Sequence, residues 1–149
     1  MAKIIGIARK ERLREPELLT VAEVTYESGI TGDGRGVRFR FGGCRQITIL
    51  SEEQWLEACA ELGIELSWQT RRANLLVEGF RFGPDDVGKV LSLGDQVKLK
   101  VTGETKPCSR MDEACVGLKA VLESDWRGGI TCLVIDGGTI RVDEVIEKT

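Results

Sequence analysis

The chain has 149 residues, with 21 Lys and Arg against 24 Asp and Glu, five cysteines and no histidine. This length fits one domain with a core of its own, and the lack of histidine excludes Ser-His-Asp and Cys-His hydrolases and histidine zinc sites. The net charge of −3 argues against a nucleic-acid-binding protein, which needs a basic surface.

Strands dominate the predicted elements. The first strand, 3–8, is rich in isoleucine, and the second, 18–26, is rich in β-branched and aromatic residues. Glycine accounts for 18 residues, which indicates many tight turns. Further strands are predicted at 37–41, 46–50, 64–68, 74–77, 89–91 and 95–102, and a hairpin is predicted from 130–135 and 139–146.

Two helices interrupt the strands. Ser51 and Gln54 match a capping box at the start of a helix over 52–62, and Gly63 stands where a left-handed C-terminal cap belongs. A second helix follows Pro107, and its apolar stripe runs over 111–122. The pattern predicts a single, mainly β domain over residues 1–149, built as an antiparallel barrel or sandwich with about two helices.

Cys108 is the cysteine whose surroundings favour chemistry. It follows Pro107 at the predicted start of a helix, where the helix dipole together with Lys106 and Arg110 stabilises a thiolate. A thiolate serves as a nucleophile, a sulfur carrier or a soft metal ligand. The local sequence fits an ordinary buried or half-exposed cysteine equally well.

The other four cysteines favour simpler roles. Cys59 and Cys115 lie on apolar helix stripes and Cys132 lies in an apolar strand, so these three are predicted to pack as small hydrophobic residues, whereas Cys44 follows two glycines in a turn. No pair has C-x-x-C spacing. The N-terminal apolar run is too short for a signal peptide, and no stretch approaches the ~20 apolar residues that span a bilayer. These features predict a cytoplasmic protein with free thiols and no membrane contact.

A second candidate site consists of arginines in two regions of the chain. The planar guanidinium group binds phosphate or carboxylate through paired hydrogen bonds. A solvated strand face explains Arg38 and Arg40 better, whereas Arg71 and Arg72 precede Asn74, which either contacts an anionic ligand or satisfies a turn. The arginines concerned are Arg35, Arg38, Arg40, Arg45, Arg71 and Arg72.

An ordered series of motifs runs through most of the chain. Gly-Asp-Gly-Arg occupies 32–35, Arg-Gln-Ile-Thr-Ile-Leu-Ser-Glu-Glu occupies 45–53, and Arg-Ala-Asn-Leu-Leu-Val-Glu-Gly occupies 72–79. Val-Gly-Lys-Val-Leu-Ser-Leu-Gly-Asp follows at 87–95 and Lys-Pro-Cys at 106–108. This series resembles the MOSC domain, named after the C-terminal part of molybdenum cofactor sulfurase, in a small stand-alone bacterial form.

The resemblance implies a β-barrel with one functional cysteine, which maps onto Cys108. In the family this cysteine is thought to carry sulfur or to bind the molybdenum of the pterin cofactor, and basic and amide residues nearby would hold the cofactor's phosphate and pterin. Some members reduce N-hydroxylated compounds with the bound cofactor, and the family carries an association with pyridoxal phosphate. The cofactor-binding residues implied for this chain are Asp33, Arg35, Arg72, Asn74 and Lys106.

The chain also departs from the family pattern. The segment 138–143 lacks the second glycine of the usual Gly-x-Ile-x-x-Gly-Asp ending, and Arg35 stands where a histidine is often found. The chain lacks the extra barrel and redox domains of larger relatives, which favours a binding or carrier role over an independent reductase. The resemblance therefore implies a partner among cofactor-biosynthesis proteins or molybdoenzymes. The alternative is a non-catalytic module that binds such a partner, and whether the chain is itself an enzyme stays open.

Overall fold

The computed structural model describes residues 1–11, 13–34, 36 and 43–149, and the predicted strand at 37–41 lies outside these ranges. The described chain is mainly β. Its strands are β1 (Lys3–Arg9), β2 (Glu17–Leu19), β3 (Val21–Thr25), β4 (Gly29–Ile30), β5 (Ile47–Ser51), β6 (Leu75–Glu78), β7 (Val90–Leu93), β8 (Val97–Glu104), β9 (Ile130–Asp136), β10 (Gly138–Arg141) and β11 (Ile146–Lys148). Its helices are α1 (Glu52–Leu62), α2 (Ser109–Ala114) and α3 (Leu118–Glu123), with short 3₁₀ helices at Trp68–Arg71, Pro84–Asp86 and Ser124–Trp126.

The described strands form a large sheet and a small one. The eight-stranded sheet has the order β11-β7-β8-β9-β5-β6-β1-β2, and the three-stranded sheet has the order β10-β3-β4. β5 and β6 run parallel, whereas their other partners, β9 and β1, run antiparallel to them. A parallel pair needs a crossover connection, and α1 followed by the 3₁₀ helix Trp68–Arg71 supplies it.

Local signals at both ends of α1 set its length. The Ser51 hydroxyl accepts a hydrogen bond from the Gln54 N–H at 3.3 Å, and Gly63 ends the helix in the left-handed region at φ 65°. The second half of the predicted capping box is wrong. The Gln54 amide points away from Ser51, donates to the Phe82 and Asp125 carbonyls at 3.0 and 2.8 Å, and accepts from the Phe82 N–H at 3.0 Å.

Two apolar cores cover opposite faces of the large sheet. The first core lies on the face toward the small sheet and includes Ile49 and Ile140, and the second joins Leu50 to Trp55 of α1 and Met111 of α2. Neighbouring residues of a strand point to opposite faces, so Ile49 and Leu50 serve different cores. This double cover explains why all residues of β5 are buried. Met111 lies in the second core, so α2 packs against the sheet.

Two predicted elements differ from the structure. Residues 64–68 alternate like a strand, but Leu66 packs beside α1 and its carbonyl accepts from the Trp55 indole N–H at 3.1 Å. This segment has no strand partner in the described structure. The predicted second helix is broken into α2 and α3, since Cys115 takes extended dihedrals of −159° and 123°.

The predicted hairpin and the predicted strand at 18–26 are each divided between the two sheets. β9 pairs with β8 and β5, whereas β10 pairs with β3. At the crossing, a Cβ on Gly137 would lie 2.5 Å from the Val24 carbonyl oxygen, so only glycine fits there. Likewise, β2 pairs with β1 in the large sheet, and after Thr20 the chain enters β3 of the small sheet.

The predicted mainly antiparallel β architecture is confirmed, but three helices replace the expected two, and the hydrogen-bonded strand order has two ends. Backbone bonds reach across part of the gap between these ends. The Ile4 N–H donates to the Glu144 carbonyl at 2.9 Å, and the Asp143 N–H donates to the Ile4 carbonyl at 2.7 Å. These bonds lie beside β1 and just before β11. Closure of the sheet into a barrel stays a prediction. None of the helices in the described ranges is long and apolar enough to cross a membrane.

The C-terminal strand is held by a nearly buried ion pair. Lys148 Nζ lies 2.9 Å from Asp86 Oδ1 and 4.9 Å from the centre of the Phe80 ring, and Asp86 Oδ2 accepts from the Gly83 N–H at 2.9 Å. Burial alone would raise the pKa of Asp86, but the hydrogen bonds from Lys148 and Gly83 and the nearby positive charges keep it below its ordinary value of 3.8.

We expect Asp86→Asn to lower the free energy of unfolding at pH 7 by about 1–3 kcal/mol, because hydrogen bonds to a charged group are lost. The native carboxyl has the lower pKa, so its contribution is complete above the ordinary value of 3.8 and disappears as the pH falls through the native pKa. Urea unfolding of both proteins from pH 7 downward measures this. A difference that stays constant into the acid range would contradict the account.

A second prediction concerns the buried amide of α1. Gln54→Met keeps the shape of the side chain but leaves the Phe82 N–H and two carbonyls without their partner, so we expect a loss of about 3 kcal/mol in the free energy of unfolding. Leu56→Met on the exposed face of the same helix is the control, with a change under about 0.5 kcal/mol. Equal stability of the two variants would refute the role given to Gln54.

Candidate functional site

A cleft of about 890 Å³ opens between the 3₁₀ helix Trp68–Arg71 and α2. The loop before β2 forms a further wall through Glu15 and Pro16. The volume of the cleft lies within the range of small-molecule sites, which is roughly 300–1,000 Å³. Because α2 packs in the second core, the cleft lies on that side of the large sheet.

Cys108 lies in the wall of this cleft. Its side chain is exposed and makes no capping hydrogen bond, and its backbone is extended at φ −119° and ψ 179°. The Cys108 carbonyl accepts from the Met111 N–H at 3.0 Å, so the residue occupies the N-terminal cap of α2. The predicted position at a helix start is confirmed. Because Met111 is buried in the second core, the thiol sits on an anchored element and not on a free loop.

The wall of the cleft is cationic although the whole chain carries a net charge of −3. Positive side chains outnumber negative ones among the described lining residues. The positive residues are Arg45, Arg71, Arg72, Lys106 and Arg110, and the negative ones are Glu15 and Glu113. Such a concentration of one sign attracts anionic ligands and raises their local concentration.

The two adjacent arginines have different roles. Arg71 is buried, and its guanidinium donates to the Gly128 carbonyl through Nε at 3.0 Å and to the Thr105 carbonyl through Nη2 at 2.7 Å. Arg72 is exposed in the cleft and takes left-handed backbone dihedrals with φ 58°, which cost a non-glycine residue about 1 kcal/mol. Arg71 is therefore a structural residue, and Arg72 presents its charge to the solvent of the cleft.

A smaller pocket of about 30 Å³ adjoins the cleft. The two cavities share Pro16, Arg45, Gln69 and Arg72 in their walls. The smaller pocket is also lined by Asp33 and Asn74, whereas the cleft holds Lys106 and Cys108. The structure thus places five of the six predicted site residues around adjoining cavities, and Arg35 lies outside the described residues.

Two polar side chains of the small pocket, those of Asn74 and Asp33, are hydrogen-bonded within the protein. Asn74 Oδ1 accepts from the Thr48 N–H at 3.0 Å and from the Thr48 hydroxyl at 3.3 Å, and Nδ2 donates to the Ala8 carbonyl at 3.2 Å. The amide thus ties β1 and β5 to the start of β6, which supports the interpretation of Asn74 as a residue that satisfies the backbone. Asp33 Oδ1 accepts from the Lys10 N–H at 3.0 Å and joins the loop after β4 to the end of β1.

Gln69 and Pro16 are two lining residues that sequence reasoning did not select. Gln69 comes just after a segment predicted as a strand, and Pro16 lies in a loop far from it in sequence. No local pattern marks either residue, because their position in the cavity walls depends on the tertiary fold.

The remaining cysteines do not line the described cleft. Cys59 and Cys132 are buried, and burial raises the pKa of both thiols, which opposes thiolate formation. Cys115 packs against the second core, and Cys44 is exposed and is not among the residues that line either cavity. Cys108 is therefore the only described cysteine that faces the cleft.

The described residues contain no cluster of three or more His, Cys, Asp or Glu side chains that would enclose a metal ion. A metal held here would need most of its ligands from elsewhere, with Cys108 as one donor. The donor set is thus a single soft sulfur atom in a cavity that cationic side chains also line.

One comparison with known proteins identifies a family, and several solved structures share the fold. The model of the MOSC domain matches residues 36–147. The fold is similar to that of the YuaD protein from Bacillus subtilis, with a TM-score of 0.76 and 20% identity over 99% of this chain and 96% of that one. It is also similar to YiiM from Escherichia coli, with a TM-score of 0.73 and 16% identity over 99% of this chain and 69% of that one.

YiiM from Geobacillus stearothermophilus is a further structural neighbour, with a TM-score of 0.67 and 14% identity over 99% of this chain and 73% of that one. A search of curated proteins finds no significant match. The family model covers most of the cleft-forming chain, including Cys108, and the structural neighbours share the fold over nearly the full length. The chain therefore belongs to the MOSC domain family, the family of the molybdenum cofactor sulfurase C-terminal domain.

Proposed function

We propose that the protein binds the molybdenum cofactor in the cleft, with the Cys108 thiolate as a ligand of the molybdenum. The observation that carries the proposal is the position of one exposed thiol in a cationic wall of an otherwise acidic protein. MOSC family membership supplies the identity of the ligand, since the family is linked to this cofactor.

The residues of the cleft fit such a ligand. The pterin part of the cofactor brings its own sulfur ligands to the metal, so the protein needs to add only one, in agreement with the lone thiol of the site. The phosphate of the cofactor requires cations, and Lys106, Arg72 and Arg45 line the same cavity as Cys108. The volume of about 890 Å³ accommodates a ligand larger than a simple anion.

Each side chain has a separate task in this proposal. Cys108 would lose its proton to solvent and would hold the molybdenum through its sulfur. Lys106 and Arg72 neutralise and orient the phosphate, while the walls of the adjoining pocket stay fixed by the hydrogen bonds of Asn74 and Asp33. When bound, the cofactor would supply the redox chemistry with which some family members reduce N-hydroxylated compounds.

The exposure of Cys108 also favours a second function, in which the thiol carries sulfur for the cofactor. A donor persulfide would transfer its outer sulfur to the Cys108 thiolate. One S–S bond forms at Cys108 while the S–S bond of the donor breaks. The inner sulfur of the donor leaves as a thiolate and takes up a proton. The partner would be a molybdoenzyme or a protein of cofactor biosynthesis. If neither molybdenum binding nor persulfide formation depends on Cys108, the alternative is a non-catalytic module that binds such a partner.

The first test is the molybdenum content of protein purified without oxygen from cells that make the cofactor. We expect the wild-type protein to retain molybdenum and pterin, and Cys108→Ser to lose at least about nine tenths of both, because hydroxyl is a much poorer ligand than thiolate. Cys44→Ser removes another exposed thiol, which lines neither cavity, and should retain the wild-type content.

Equal trace contents in the wild type and in Cys108→Ser would sink the cofactor-binding proposal. The same samples, treated with a persulfide-specific label and mapped by mass spectrometry, test the carrier function. An unlabelled Cys108 in protein exposed to a persulfide donor would sink that second proposal.

A further prediction separates stability from binding at Arg72. Arg72→Gly removes the cleft charge and relaxes the left-handed backbone, so the free energy of unfolding should stay equal or rise by up to about 1 kcal/mol. The molybdenum content should fall at least about threefold, as expected for the loss of one phosphate contact. Arg141→Gln, an exposed residue outside the cleft, is the charge control. A marked loss of stability in Arg72→Gly, or an unchanged molybdenum content, would contradict this account.

A further inference from the structure

The segment that carries Cys108 has few local means of holding its position. Residues 105–108 connect the end of β8 to α2 and lie outside the strand ladders. Thr105 is buried, and its N–H donates to the Gly129 carbonyl at 2.8 Å. The hydrogen bond that fixes the Thr105 carbonyl comes from a distant part of the chain, the Arg71 guanidinium, at 2.7 Å.

Arg71 joins three segments that meet at the cleft. Through Nη2 it holds the Thr105 carbonyl, three residues before Cys108, and through Nε it holds the Gly128 carbonyl at 3.0 Å. Its own backbone ends the 3₁₀ helix that precedes Arg72. Because the guanidinium is planar and its donors have fixed directions, one side chain sets the spacing of all three segments.

The neighbouring glycine shows how closely these segments approach. A Cβ on Gly128 would lie 2.5 Å from the Thr105 carbonyl oxygen and 3.3 Å from both Arg71 Nη2 and Pro107 Cδ. Pro107 directly precedes Cys108, so the contact reaches the neighbour of the thiol-bearing residue. The packing leaves no room for the segment to move toward Gly128.

We propose that Arg71 is a positioning residue, whose fork of hydrogen bonds holds the Cys108 segment next to the Arg72 turn and so places the thiol among the cations of the cleft. This inference rests on the proposed function of Cys108, and it names the residue on which that site depends. Arg71 does not need to touch the ligand, because it acts through Thr105, Gly128 and the backbone of Arg72.

Alkylation of Cys108 tests the inference without any cofactor. Iodoacetate is anionic and iodoacetamide is neutral, and in both cases the thiolate sulfur displaces iodide. The ratio of the two rates at Cys108 reports the positive charge around the thiol. Peptide mapping by mass spectrometry gives the same ratio at the exposed Cys44 of each sample, which serves as an internal control.

Arg71→Lys is the decisive variant, because it keeps the charge but replaces the planar fork with a point donor that cannot span both carbonyls in the same way. We expect the iodoacetate-to-iodoacetamide ratio at Cys108 to fall about threefold or more, the scale of an interaction between exposed charges, with Cys44 unchanged. Arg71→Gln should lower the ratio at least as much, and Arg141→Gln should leave it at the wild-type value.

Should Arg71→Lys fail to fold, as judged by circular dichroism and thermal melting, Gly128→Ala replaces it. The added Cβ displaces the Thr105 carbonyl without changing any charge, and we expect the same fall in the ratio. A folded Arg71→Lys protein with the wild-type ratio at Cys108 would overturn the inference, even if Arg71→Gln lowers it, because charge alone would then explain the effect. Molybdenum content tests cofactor binding separately. A failure of that test leaves the alkylation result at Cys108 unaffected.

Discussion

The need to satisfy a buried guanidinium is the constraint on which the cleft depends. Arg71 is almost fully buried, and a buried charge is tolerated only when hydrogen bonds replace the lost water. The partners are the carbonyls of Thr105 and Gly128, which lie in segments far from Arg71 in sequence. Meeting this requirement draws the segment before Cys108 and the turn at Arg72 to one place. The site is thus a consequence of how the fold satisfies one internal residue.

The two-core arrangement explains why the cleft lies at the edge of the layer of helices that covers the second face of the large sheet. β5 is buried on both faces, so the helices that cover its second face are an obligatory part of the fold. Met111 places α2 in that layer, and the first residue before the helix, Cys108, emerges at its margin. Charged residues line the same margin, and positive ones predominate among those of the cleft although the chain as a whole is acidic.

Local signals predicted those features that depend on neighbours in sequence. The bounds of α1 follow from Ser51 and Gly63, and the place of Cys108 at a helix start follows from the residues around it. The predicted strand at 18–26 is divided between two sheets and the predicted hairpin near Gly137 is wrong, because alternation shows that one face is buried but not which sheet buries it. The same limit applies to Arg71 and Arg72. They are identical neighbours, and tertiary contacts alone decide that one is buried and the other faces the cleft.

The coordination of molybdenum in the purified protein tests the central claim, that the Cys108 sulfur is a ligand within the cleft. X-ray absorption at the molybdenum edge counts sulfur neighbours of the metal. Wild-type protein reconstituted with the cofactor should show one more sulfur neighbour than the small fraction of Cys108→Ser that still holds molybdenum, with Cys44→Ser matching the wild type. The same sulfur count in the wild type and in Cys108→Ser would contradict the account.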